Sequence, residues 1–191
     1  MLLLGLDLAV CTGFCLGRPG ETPRSGSVRV KQPAEALYQA PWNLETFLQD
    51  LCLFGDPDLI VYEAPIPLNA QMGDGRARNE DALLMPIKLE QAIERFCLPR
   101  QIRWEKVYAA TVRKHLLGKA NYGDRQATKN AVFDRCKVLG LIPSDARIRN
   151  KSSDPLFDQA DACAVWSWAC AARAKHAPSE LFLHGERPSA A

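Results

Sequence analysis

Four carboxylates in this chain stand where a carboxylate is least at home. Asp7 ends the apolar run LLLGLD, and Glu63 ends the β-branched run DLIVYE. Asp158 and Asp161 open the apolar stretch FDQADACAVWSWA. Their spacing of three places both carboxylates on one helix face, close enough to share a ligand. Acids in such surroundings cost free energy unless they are compensated. Each has an ordinary reading when taken alone. Asp7 suits a turn, and Asp158 suits the first turn of a helix, where the dipole favours it. Glu63 is a poor strand former with no basic neighbour in sequence. Brought together, the four would repel one another unless cations lay between them. Hard oxygen donors suit Mg2+ or Mn2+. Two such ions about 3.5–4 Å apart are the usual device for in-line phosphodiester hydrolysis.

The elements around these acids must bring them together. Leu2 to Leu8 reads as a buried strand, Gly13 to Gly17 as a second and Ser25 to Val30 as a third, with Gly and Pro between them favouring tight connections. Ala34 to Phe54 has helical periodicity, with Pro41 and Trp42 predicting a break or kink near its start. Asp58 to Glu63 is the clearest strand, and residues 64–79 form a loop. Glu80 to Phe96 returns to helical spacing, Gln101 to Val107 is a short strand, and Thr111 to Leu117 and Arg125 to Leu139 read as helices. Pro155 to Ala172 is a strongly apolar helix. Three strands followed by strands alternating with helices indicate an α/β or α+β mixed sheet with helices on its faces. Strand ends in such sheets are where sites form.

The chain has 191 residues, enough for one domain with a sizeable core, and no linker or repeat divides it. Residues 1–175 form the expected domain, with 176–191 as a surface tail. A net charge of +2 says little, but its distribution says more. From Arg100 to Lys151 there are thirteen Lys and Arg against four Asp and Glu, the makings of a phosphate-facing surface or of a solvated basic face. Seven cysteines show no CxxC and no Cys/His cluster, and read as small core hydrophobes in a reducing cytosol rather than as a zinc site. Asp7 interrupts the N-terminal apolar run, which has no basic leader. A signal peptide is not expected, and neither is a membrane span. The expected location is cytoplasmic.

The ordered set LLLGLDLAVCTGFCLG, LIVYEAP, VRKHLLGK with a lysine further on, and FDQADACAVW resembles the RuvC-type Holliday junction resolvases of the RNase H-like (retroviral integrase) superfamily. It covers roughly residues 2–172. The resemblance implies an RNase H-like α/β fold, a mixed five-stranded sheet flanked by helices. It implies that Asp7, Glu63, Asp158 and Asp161 are metal-binding catalytic acids holding two Mg2+ or Mn2+ ions per active site. Arg113 and Lys129 match basic positions of the family, Lys129 near the scissile phosphate, where a cation neutralises developing charge. Lys114 and Lys119 add to the basic stretch. Arg76 and Arg78 in the loop after Glu63 are candidate phosphate contacts, and Met72 or Ile66 a wedge between bases. His115 reads as a surface or packing histidine.

The implied activity is nicking of four-way or branched DNA by a homodimer, whose two-fold symmetry matches two strands to cut. Two readings stay open beside it: an RNase H-like nuclease on RNA–DNA hybrids or general branched DNA, and a junction-binding module without catalysis. An actin-like or sugar-kinase ATPase would need a second Gly-rich motif and about twice the length. The chain departs from the family where Leu8-Ala9 replaces the usual Pro-Gly, in a longer Gly118–Lys129 segment, and in its tail. These departures indicate a divergent branch, of phage or prophage type.

Overall fold

A computed structural model of the chain describes residues 1–65, 80–150 and 153–174. Five strands form one mixed sheet: β1 (Leu3–Asp7), β2 (Cys11–Gly17), β3 (Arg24–Arg29), β4 (Leu59–Glu63) and β5 (Arg103–Val107). Their order across the sheet is β3-β2-β1-β4-β5. β1 to β3 form an antiparallel meander, while β4 and β5 add in parallel beyond β1. The expected five-stranded α/β sheet is therefore the one observed. Its described helices are α1 (Gln39–Leu51), α2 (Glu80–Cys97), α3 (Ala109–Leu117), α4 (Arg125–Val138) and α5 (Pro155–Ala174).

The two-residue period of the strands sorts their side chains into two cores. Leu4, Leu6, Ile60 and Tyr62 pack beneath α1 and α2. Leu3, Cys15, Leu59 and Val61 pack beneath α3, α4 and α5. This parity puts Asp7 and Glu63 on the second face, at the C-terminal ends of their strands. β1 and β4 pair in register up to Leu6 and Tyr62, so the two acids come next, side by side.

α5 lies across that face because both surfaces are built of small residues. A Cβ on Gly5 would fall 2.7 Å from the Trp166 backbone nitrogen and 2.8 Å from the Ala162 carbonyl oxygen. A Cβ on Gly13 would overlap the Asp158 carbonyl oxygen outright. The helix answers with Ala160, Ala162, Cys163 and Ala164, all buried, and Trp166 donates its ring N–H to the Gly17 carbonyl at 3.2 Å.

Boundaries differ from the expectations in instructive ways. β2 begins at Cys11, because pairing with Arg29 extends the ladder two residues before Gly13. The first helix begins at Gln39, not Ala34, and runs unbroken through Pro41 to Leu51. Pro41 occupies the third position, where the backbone N–H it lacks has no intrahelical partner to meet. Trp42 is 70% exposed. All seven cysteines are free thiols, and five of them are buried. Among the described residues no helix is long and apolar enough to cross a membrane.

Candidate active site

Asp7, Glu63, Asp158 and Asp161 line one cavity of about 880 Å³ at the C-terminal rim of the sheet. Each acid is half-buried, open to the cavity on one side and packed behind on the other. The turn between β1 and β2 is fixed by Thr12, fully buried, whose hydroxyl donates to the Ala9 carbonyl at 2.7 Å. That turn sets Gly13 opposite Asp7 in the ladder. Gly13 in turn admits the first turn of α5, which carries Asp158.

The acids feel one another. Burial pushes the Asp7 carboxyl well above its ordinary value, and the charges of Asp161, Glu63 and Asp158 push it further. Glu63 is raised to about 7 by burial and by Asp161. Asp161 is raised to about 6, chiefly by burial, with Asp158 adding and nearby cations opposing. Asp158 is raised by burial, against the neighbouring Cys11 thiol and the cations Lys129 and Arg29, which favour its charged form. Strongly perturbed carboxyls grouped in a cleft mark a functional site.

Three cations face this negative charge. Arg113, held on α3 between the buried anchors Val112 and Leu116, opposes the charge of Glu63 and Asp161. Lys129, on α4, opposes that of Asp7, Asp158 and Asp161 and lies 5.2 Å above the Phe157 ring. Arg125, the first residue of α4 and no site candidate by sequence, lines the same cavity and acts on Asp161. α4 is aimed by its cap. The Asp124 carboxylate accepts from the Ala127 N–H at 2.7 Å, and the buried Thr128 donates to the Asp124 carbonyl and accepts from the Tyr122 N–H.

The other basic candidates fall elsewhere. Lys114 lines a separate groove with Thr111, His115 and Trp168. Lys119 lies over the Tyr122 ring, 4.0 Å from its centre. His115 is exposed, with Nε2 3.3 Å from the Ser167 hydroxyl, as expected of a surface histidine. Arg76, Arg78, Met72 and Ile66 lie outside the described residues, as does the tail from 175.

Among the described residues no three His, Cys, Asp or Glu side chains are gathered into a set able to hold a metal ion as they stand. The donor chemistry nevertheless suits a hard divalent cation: four carboxylates on one cavity wall, three of them raised by mutual repulsion as well as by burial.

The same arrangement of strands and helices occurs in solved structures. The Thermus thermophilus RuvC structure superposes with a TM-score of 0.63 at 16% identity, over 92% of this chain and 97% of that one. The fold is that of RuvC. T. thermophilus RuvC in complex with a Holliday junction substrate gives a TM-score of 0.63 at 12% identity, over 91% and 96% of the two chains. The yeast mitochondrial Holliday junction resolvase Ydc2 gives 0.53 at 14%, over 92% and 80%. No family model matches the sequence. No curated protein matches it either. The RuvC fold is thus shared at a sequence identity of 12–16%.

Proposed function

We propose that this protein is a metal-dependent endonuclease that nicks four-way or otherwise branched DNA, acting as a homodimer in recombination or repair. The observation that carries the reading is the convergence of Asp7, Glu63, Asp158 and Asp161 on one cavity edged by Arg113, Arg125 and Lys129. A pure phosphate binder gains nothing from clustered negative charge, so the acids favour catalysis over a binding module. The RuvC fold, seen also in a structure holding a Holliday junction, supports DNA as the polymer bound.

The four acids would hold Mg2+ or Mn2+, two ions per site. When bound, the metal supplies Lewis-acid activation of water and stabilises the leaving oxygen. This chain's own groups do the rest. The carboxylates orient the attacking water through hydrogen bonds to their free oxygens. Lys129 and Arg113 sit where negative charge develops on the phosphoryl oxygens, and fixed cations there need no reorganisation during reaction. Arg125 extends the cationic edge of the cavity, and Lys114, Lys119, Arg76 and Arg78 are further candidate phosphate contacts. Two copies related by a two-fold axis would present two such sites to two strands.

The test is Mg2+-dependent cleavage of a synthetic four-way junction, mapped at nucleotide resolution beside a linear duplex and an RNA–DNA hybrid. Asp7→Asn and Asp161→Asn should abolish nicking while leaving junction binding largely intact. Full activity in either variant sinks the assignment. Preferential cleavage of the hybrid would move the enzyme to the RNase H-like alternative.

A further inference from the structure

The opposite flank of the cavity carries charge that the mechanism above leaves unused. Along β3 the residues alternate between the two faces. Ser25 turns to the α5 face, where it donates to the Leu141 carbonyl at 3.1 Å and meets the Gln159 amide at 2.9 Å. Gly26 lies against the Phe14 ring on the other face, and Val28 packs with the α1–α2 core. By this parity Arg29, the last residue of β3, stands on the α5 face. It pairs in the ladder with Cys11, whose thiol neighbours the Asp158 carboxylate. The field of Arg29 reaches both groups and pulls both downward. Arg29 is exposed and closes no salt bridge among the described residues.

A second arginine is held to the same end of α5. The buried Asp154 carboxylate accepts the backbone N–H groups of Arg149 at 2.6 Å, Asn150 at 3.1 Å and Leu156 at 3.0 Å. Its own carbonyl accepts from Phe157 at 3.0 Å. One buried acid therefore ties the segment bearing Arg149 to the turn of helix that carries Asp158. The Arg149 side chain is exposed.

The order of the sheet places these groups. Asp7 is on β1, the middle strand. Arg29 ends β3, two strands to one side, about 10 Å away at about 4.8 Å per strand. Arg113 lines the cavity itself and acts on Glu63, on the neighbouring strand to the other side. We propose that Arg29 and Arg149 form a second phosphate-binding flank, so that the cut DNA strand is gripped on both sides of the carboxylates. This rests on the nuclease reading and adds to it a strand path across the β3 edge.

The test is binding of the full-length protein to a fluorescent four-way junction in EDTA, as a function of salt. Arg29→Ala and Arg149→Ala should each weaken binding and lower the slope of log K against log salt by about 0.9, and the double variant by about 1.8. Arg29→Lys should keep the wild-type slope. Because both side chains are exposed, the melting temperatures should stay at the wild-type value. A wild-type slope in the double variant, with Arg113→Ala lowering it, overturns the second flank and leaves the nuclease reading standing. A wild-type protein with no salt-dependent junction binding overturns both.

Discussion

Gly13 lies directly beneath the Asp158 carbonyl, with no room between them for even one methyl group. The contact joins β2 to the first turn of α5, and through the ladder it joins Asp158 to Asp7. Gly13→Ala should therefore push the helix off the sheet at the cavity. We expect a loss of about 1–3 kcal/mol or more, as for overpacking, together with a near-complete loss of nicking. Gly5→Ala meets Trp166 and Ala162 instead, further along the helix, and should destabilise comparably while keeping more activity per folded molecule. Equal activity losses at equal folded fraction would show that Gly13 does not position the site.

The metal-free protein should lose stability as pH rises. The unfolded chain releases protons near the ordinary values of 3.8 for Asp and 4.5 for Glu, while folded Asp161 and Glu63 hold theirs until about 6 and 7. Across that window the folded state binds more protons, so its advantage shrinks with each unit of pH. Melting temperatures in EDTA should fall between pH 4.5 and 7.5, and Mg2+ or Mn2+ should raise them most at pH 7.5. A flat profile that metal does not alter would mean that the carboxylates do not repel as described.

Asp7→Asn removes one of the mutually repelling charges. In EDTA at pH 7.5 its melting temperature should rise, by about 2–4 °C for each kcal/mol relieved in a domain of this size. The same variant should lose the metal-induced rise. Differential scanning calorimetry with and without Mg2+ checks both.

Lys129→Met retains the packing of the stem against Phe157 and deletes the charge. Single-turnover nicking should slow by about 10²–10³, the usual cost of removing one preorganised stabiliser of a developing oxyanion. Junction binding should change far less. A variant that binds poorly but cleaves at the wild-type single-turnover rate would place Lys129 in substrate capture instead.

Asp154→Ala leaves three backbone N–H groups without their acceptor. Burial pushes this carboxyl up, yet the N–H groups of Leu156, Arg149 and Asn150 and the Arg149 charge outweigh it and hold it below 3.8. Its contribution is fully present above that value and fades as acid protonates the group. Wild type should exceed the variant by about 1–3 kcal/mol at pH 7, and the gap should close toward pH 2. Urea melts at the two pH values measure it.

Period-two and period-three patterns made most of this arrangement legible. The runs LLLGLD and LIVYE already put Asp7 and Glu63 at strand ends, and the spacing of Asp158 and Asp161 put both on one helix face. The start of α1 was less legible, because apolar residues from 34 to 38 continue a helical spacing that the backbone does not take up. Arg125 was hidden because a first-turn arginine has no pattern of its own. Arg29 and Asp154 were hidden for a different reason. Their meaning depends on the pairing of β3 with β2 and on a segment folding back onto α5, and neither leaves a periodic trace.

The crossing of α5 over Gly5 and Gly13 also governs when the site can exist. Asp7 and Glu63 are made early, but their partners lie some hundred residues later, on the last described element. During synthesis, a chain that has not yet reached residue 161 carries half a carboxylate set beneath a bare groove of glycines. The four acids share a cavity only once the final helix has settled on those glycines. That step is a long-range closure, the kind of contact that forms late in folding. A carboxylate set split in this way across the chain exists only in the finished fold.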